Sequence, residues 1–128
     1  RTTLRHAKAA GVGIGAHPSF PDSQGFGRRR MQIDADELQA LLIYQIAALD
    51  GMARSEGLRV AHVKPHGALS NMACAQLELA RTVAAAVLAD QVQQLRTRGF
   101  GQVHFYTLNQ ANLTYAACRI LGIRRSHP

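Results

Sequence analysis

Arg59-Val60-Ala61-His62-Val63-Lys64-Pro65-His66-Gly67 changes character at its middle. Val60, Ala61 and Val63 make a short apolar strand over residues 59–64, and Pro65 and Gly67 then force a turn. The same change occurs earlier, in Val12-Gly13-Ile14-Gly15-Ala16-His17-Pro18. There, glycines at alternate positions of a strand over residues 12–16 bring one face close to neighbouring backbone. Between the two strands lies the clearest helix of the chain. Leu38, Leu42, Ile46, Leu49 and Ala53 recur at helical spacing, Asp34 precedes them as a cap, and Glu37 stands three residues beyond it. Gly57 ends that helix. Strand, helix and strand in this order predict a parallel pair joined by a crossover.

The rest of the chain extends this pattern. Residues 2–10 read as a short helix closed by Gly11 in the left-handed region. Residues 17–33 are a long loop rich in Gly, Pro and Arg, and residues 65–72 a second loop. The Ala-rich stretch over residues 74–98 is helical by propensity. Its length exceeds the usual globular range, which suggests two helical halves joined near Asp90. Gly99 and Gly101 break it. Residues 102–107 form a third strand, Asn109 caps a last helix ended by Gly122, and the tail frays.

At 128 residues the chain is one domain, able to bury a substantial core. A hydrophobic content of 47% with 18% charged residues excludes a disordered tail. No apolar run is long enough to cross a bilayer, and no basic-then-apolar leader opens the sequence, so it reads as cytoplasmic. The first residue is Arg1 rather than Met, which suggests a processed product or a fragment. Cys74 and Cys118 lack metal-type spacing and read as small core residues. The net charge of +7 raises a basic nucleic-acid-binding module as one alternative. Its distribution argues against nucleic acid: Arg28-Arg29-Arg30 is the one run of three, and no aromatic residues interleave with it.

Both polar loops follow strands, and the carboxyl ends of parallel strands are where α/β sites form. Adjacent strands would bring His17 and His66 to one rim. In Lys64-Pro65-His66-Gly67, the lysine offers a fixed cation, the histidine an acid, base or ligand, and the glycine close approach of substrate to backbone. His17, Lys64 and His66 are therefore candidate catalytic residues. Asp22, Arg28 and Asn71 are candidate substrate-binding residues, with Arg28 suited to an anionic group. His17 and Asp22 together suit a metal site or an oriented general base, but no ligand spacing supports a metal. Gly11, Gly13 and Gly15 precede or occupy the strand rather than follow it, which rules out a dinucleotide fingerprint.

These loops resemble the LamB/YcsF family, the A-type subunits of 5-oxoprolinase, over residues 7–87. The matching blocks are Gly15-Ala16-His17-Pro18-Ser19-Phe20-Pro21-Asp22, Gly25-Phe26-Gly27-Arg28, Tyr44-Gln45-Ile46 with Ala48-Leu49, and residues 62–71. The resemblance implies a seven-stranded α/β barrel in a multi-subunit system that cleaves 5-oxoproline to glutamate with ATP hydrolysis. ATP would then be a co-substrate, partner subunits would be needed, and His17, Asp22, Arg28, Lys64, His66 and Asn71 would face the pocket. The family's Asp-Leu-Asn-Cys-Asp opening strand has no counterpart here, and Ser70 stands where the family shows Tyr. Residues 91–123 are similar instead to the carboxyl end of methylenetetrahydrofolate reductase. That resemblance rests on His104-Phe105-Tyr106-Thr107-Leu108-Asn109, with Tyr106 implied as a pocket residue and Gln110 in place of an expected arginine. No flavin-binding portion accompanies it.

The expectation is thus an α/β fold of three parallel strands alternating with helices, a partial TIM-type barrel joined near residue 90 and completed by self-association. Its function is that of a fragment of a LamB/YcsF-type 5-oxoprolinase component, inactive alone. The alternative is a non-catalytic scaffold, natural or engineered, recombined from two barrel enzymes.

Overall fold

A computed structural model describes residues 1–96, with side chains described as far as Leu88 on the last helix. The elements run α1 (Thr2–Ala9), β1 (Ile14–Ala16), α2 (Ala35–Ser55), β2 (Val60–Val63), α3 (Gly67–Ala75) and α4 (Leu77–Arg96). The expected third strand, its following helix, Cys118 and Tyr106 lie outside the described residues.

β1 and β2 pair in parallel, with Ile14 opposite Val60, Gly15 opposite His62 and Ala16 opposite Val63. The register slips by one residue between Ile14 and Gly15, so β2 carries a bulge-like extra residue there. Both strands are shorter than the sequence suggests. Val12 is exposed, and the imidazole of His62 lies where a side chain on Gly15 would stand.

Capping and stripe together make α2. The Asp34 carboxylate accepts from the amides of Asp36 and Glu37, two of the four donors a helix start leaves unpaired. Leu38, Leu42, Ile46 and Ala53 are buried along one face. Gly57, with φ of 72°, turns the chain away after the last turn.

Two expectations need correction. Residues 65–72 are not all loop, because α3 begins at Gly67. Ala68, Leu69, Met72 and Ala73 bury one face of that helix against α4 and the core, and this packing outweighs the turn-forming character of Gly67, Ser70 and Asn71. The Ala-rich stretch is not one helix from residue 74. Gln76 adopts an extended conformation between α3 and α4, and Cys74 belongs to α3, where its thiol donates to the Ser70 carbonyl at 2.8 Å. Beyond that break, α4 runs without interruption through Asp90.

The main core joins α2, α3 and α4 with Phe20 from the first loop, and includes Leu38, Leu42, Leu69 and Val83. A smaller cluster of Leu4, Ile14 and Ala53 seats α1 against β1 and the end of α2. Around it, Glu56 accepts from Arg1 and Arg5, and Lys8 donates to the Glu56 carbonyl, tying the amino-terminal helix to the α2 C-terminus.

Candidate functional site

The first loop leaves β1 at His17 and the second leaves β2 at Lys64. Backbone pairing continues past the strands into both. The Lys64 amide donates to the Ala16 carbonyl, that of His66 to Pro18, and that of Ala68 to Gly27, at 2.9, 2.9 and 3.0 Å. The last rung demands two glycines. Gly27 (φ 68°) has no room for a Cβ between Ser19 and the His66 ring, and a Cβ on Gly67 (φ 58°) would stand 2.5 Å from the Gly27 carbonyl oxygen. Phe26 precedes Gly27 with φ of 54°, a region costly for a non-glycine residue.

This zipper puts the two histidines in contact. Their ring centroids are 4.7 Å apart, edge to face, and His66 Nδ1 lies 2.9 Å from His17 Nε2. The outer nitrogens are anchored on backbone. His17 Nδ1–H donates to the Lys64 carbonyl at 2.5 Å, and His66 Nε2–H donates to the Phe26 carbonyl at 2.9 Å. The exposed Phe26 ring also packs edge-on against His66, with centroids 5.5 Å apart.

Beside the pair opens a cavity of about 460 Å³, lined by His17, Ser19, Asp22, Tyr44, Gln45 and His66 among others. Asp22 is buried, and also lines a neighbouring cleft that Arg29 and Arg30 share. Its carboxylate receives Arg29 through Nε at 2.8 Å and through a second guanidinium nitrogen, the Gly25 amide at 2.9 Å and the Arg29 amide at 3.2 Å. The Arg29 guanidinium foremost, helped by the two amides, lowers its pKa to about 2 against the opposing effect of burial. Asp22 is therefore an anchor that folds residues 22–29 into a compact turn.

Of the other expected site residues, Lys64 reaches the pair through its carbonyl, while its side chain is exposed. Arg28 is exposed and sits with its guanidinium carbon 5.9 Å from the Phe26 ring centroid. Asn71 is exposed on α3 and is not among the residues lining the cavity. Among the described residues, no group of three or more His, Cys, Asp or Glu side chains is placed to hold a metal ion. No helix among them is long and apolar enough to cross a membrane.

Sequence reasoning did not single out Gln45 as a member of the site, and it read Arg29 only within the Arg28–Arg30 run, not as the partner of Asp22. Gln45 Oε1 accepts from the Ser19 amide at 3.0 Å and its Nε2 donates to the Ser19 carbonyl at 2.9 Å, fixing the first loop to α2. A polar side chain directly before the buried Ile46 was the available signal.

Known proteins share much of this sequence. Residues 1–121 match the LamB/YcsF family, so the match runs well beyond residue 87, the end of the resemblance read from the motifs. The A-type subunit of 5-oxoprolinase from Azoarcus sp. is 61% identical over 89 residues, which is 70% of this chain and 35% of that protein. Its counterpart from Clostridium beijerinckii is 54% identical over 81 residues, 63% of this chain and 32% of its own length. The crystal structure of a lactam utilization protein from Thermus thermophilus superposes with a TM-score of 0.70 at 42% identity, covering 90% of this chain and 44% of that one. The chain spans about a third of the length of the curated relatives it matches. With the match covering nearly its whole length, the chain belongs to the LamB/YcsF family.

Proposed function

We propose that this chain is a portion of a LamB/YcsF-type 5-oxoprolinase component, and that the His17–His66 rim is where a lactam is opened. The contact between the two histidines across parallel strand ends carries this reading. Opening 5-oxoproline adds water across the ring amide, so that the C–N bond breaks and glutamate results, with ATP hydrolysed alongside. Negative charge grows on the carbonyl oxygen as water attacks. Cationic groups fixed beside that oxygen lower the barrier, often by several kcal/mol. His17, His66 and the Lys64 ammonium are the candidates for that role, and Arg28 for holding the substrate carboxylate. Asp22 acts through the loop it organises, and Asn71 would enter from α3.

The relatives' designation as one kind of subunit among others supports a multi-chain assembly. On this reading the chain alone releases no glutamate from 5-oxoproline and ATP, because the reaction needs companion subunits. The test is made in the full-length Azoarcus relative with its companion subunits. Alanine at the histidine matching His66 should lower turnover by about a hundredfold or more. Unchanged turnover there would remove the histidine rim from the mechanism.

A second reading keeps the chain as a non-catalytic scaffold recombined near residue 90. It is favoured by the curated matches, which cover 81 and 89 residues rather than the whole chain. The family match to residue 121 weighs against it. Robust glutamate release by the isolated chain, abolished by His66→Ala, would exclude it.

A further inference from the structure

The histidine pair poses a problem of proton number. Three contacts run in series: Lys64 carbonyl to His17 Nδ1, His17 Nε2 to His66 Nδ1, and His66 Nε2 to Phe26 carbonyl. Each contact needs one hydrogen between its two heavy atoms. The carbonyls at the two ends can only accept. Two neutral imidazoles bring one N–H each, which the carbonyls claim. The inner nitrogens would then face each other at 2.9 Å with two lone pairs and nothing between them. Turning either tautomer round repairs the centre only by setting a bare ring nitrogen against a carbonyl oxygen.

We infer that the pair holds three protons on its four ring nitrogens and carries one positive charge, shared across the inner contact, so that it serves the cavity as a fixed cation for an anionic group rather than as a general base. A general base needs a lone pair directed at the substrate. Here every ring nitrogen is engaged.

The surroundings fit a cation without a protein counter-ion among the described residues. Asp22 is the one carboxylate among the residues lining the cavity, and its oxygens are taken by Arg29 and by the Gly25 and Arg29 amides. Tyr44 faces the cavity from α2 and is uncharged at neutral pH, and the α3 amide of Ala68 is spent on the Gly27 carbonyl. Arg28, over the Phe26 ring that packs against His66, adds positive charge on the exposed side of the rim. A small carboxylate, or the developing oxyanion of an amide under attack, matches this lining. The inference goes beyond the lactam reading, because the proton number follows from the three contacts whatever the substrate.

Nitrogen NMR of the histidine rings tests it on the unmodified full chain near neutral pH. The expected spectrum shows His17 Nδ1 and His66 Nε2 both protonated, and a third proton shared between the inner nitrogens. Two protons in total, leaving two ring nitrogens unprotonated, would overturn the inference. Acetate is the anionic probe, titrated at constant ionic strength set with chloride. The His17 and His66 ring signals should move and saturate, and His66→Gln, whose amide can still donate to His17, should weaken the acetate affinity about tenfold. Absence of saturation in the unmodified chain, or equal affinity in a folded His66→Gln variant, would show that the pair is not an anion site.

Discussion

Gln45 satisfies both backbone groups of Ser19 with a single side-chain amide, as a neighbouring strand would. A helix thereby replaces a third strand at the edge of the first loop. Loss of that grip strands a half-buried donor and acceptor, each worth about 1–3 kcal/mol when left unmade. Gln45→Ala should lower unfolding stability by about 2 kcal/mol, within that range. Urea denaturation measures the loss, and faster amide exchange at Ser19 locates it.

Asp22 predicts how the fold responds to acid. Its carboxyl is held at about 2 against an ordinary 3.8, so the folded state binds its proton less readily than the unfolded chain. The resulting stabilisation is complete above the ordinary value and disappears as pH falls toward about 2. Glu56 contributes in the same sense, lowered first by Arg5 and then by Arg1. Asp22→Asn should flatten the acid limb of the stability curve, as followed by thermal melting across that range. An unaltered limb would mean the Arg29 contact contributes nothing to stability.

Gly67 and Gly51 should respond to alanine with opposite signs. At Gly67 the added methyl meets the Gly27 carbonyl in a left-handed backbone, so Gly67→Ala should destabilise by more than about 1 kcal/mol. At Gly51, within α2, a Cβ meets nothing within 4 Å, so Gly51→Ala should stabilise by about 0.5–1 kcal/mol. Paired denaturation curves decide both.

Leu42 is fully buried where α2 meets the main core. Leu42→Ala should cost about 2–5 kcal/mol through lost burial and the cavity left behind. Asp34→Ala, which removes only the helix cap, should cost about 1 kcal/mol. A smaller loss for Leu42→Ala than for Asp34→Ala would mean the α2–α4 contact is not central to the fold.

Self-association is expected of a chain whose described sheet has two strands and whose exposed apolar residues include Val12, Phe26 and Tyr44. Light scattering at tens of micromolar, an assumed working range, should show a mass above that of the monomer. A purely monomeric mass would count against it.

Much of this architecture was legible because local chemistry and global fold agree. Asp34, the Leu38–Leu42–Ile46 stripe and Gly57 each signal α2 without reference to anything distant. The meeting of His17 and His66 followed from their places after parallel strands. The start of α3 was hidden, since Gly67, Ser70 and Asn71 look like loop residues until Leu69 and Met72 find α4. The Arg29 partner of Asp22 was hidden, because sequence shows the charges of both but not that one folds back upon the other. Gln45 was silent for a similar reason: its partner is 26 residues away.

The three rungs from Ala16 to Lys64, Pro18 to His66 and Gly27 to Ala68 have a thermodynamic consequence. Catalytic loops commonly lose conformational freedom when a ligand arrives, and that loss subtracts from affinity. Here the backbone around both histidines is ordered while the chain folds. The entropy of ordering this rim is therefore not lost a second time on binding. Small ligands, which have few contacts with which to offset such a loss, gain the most from it.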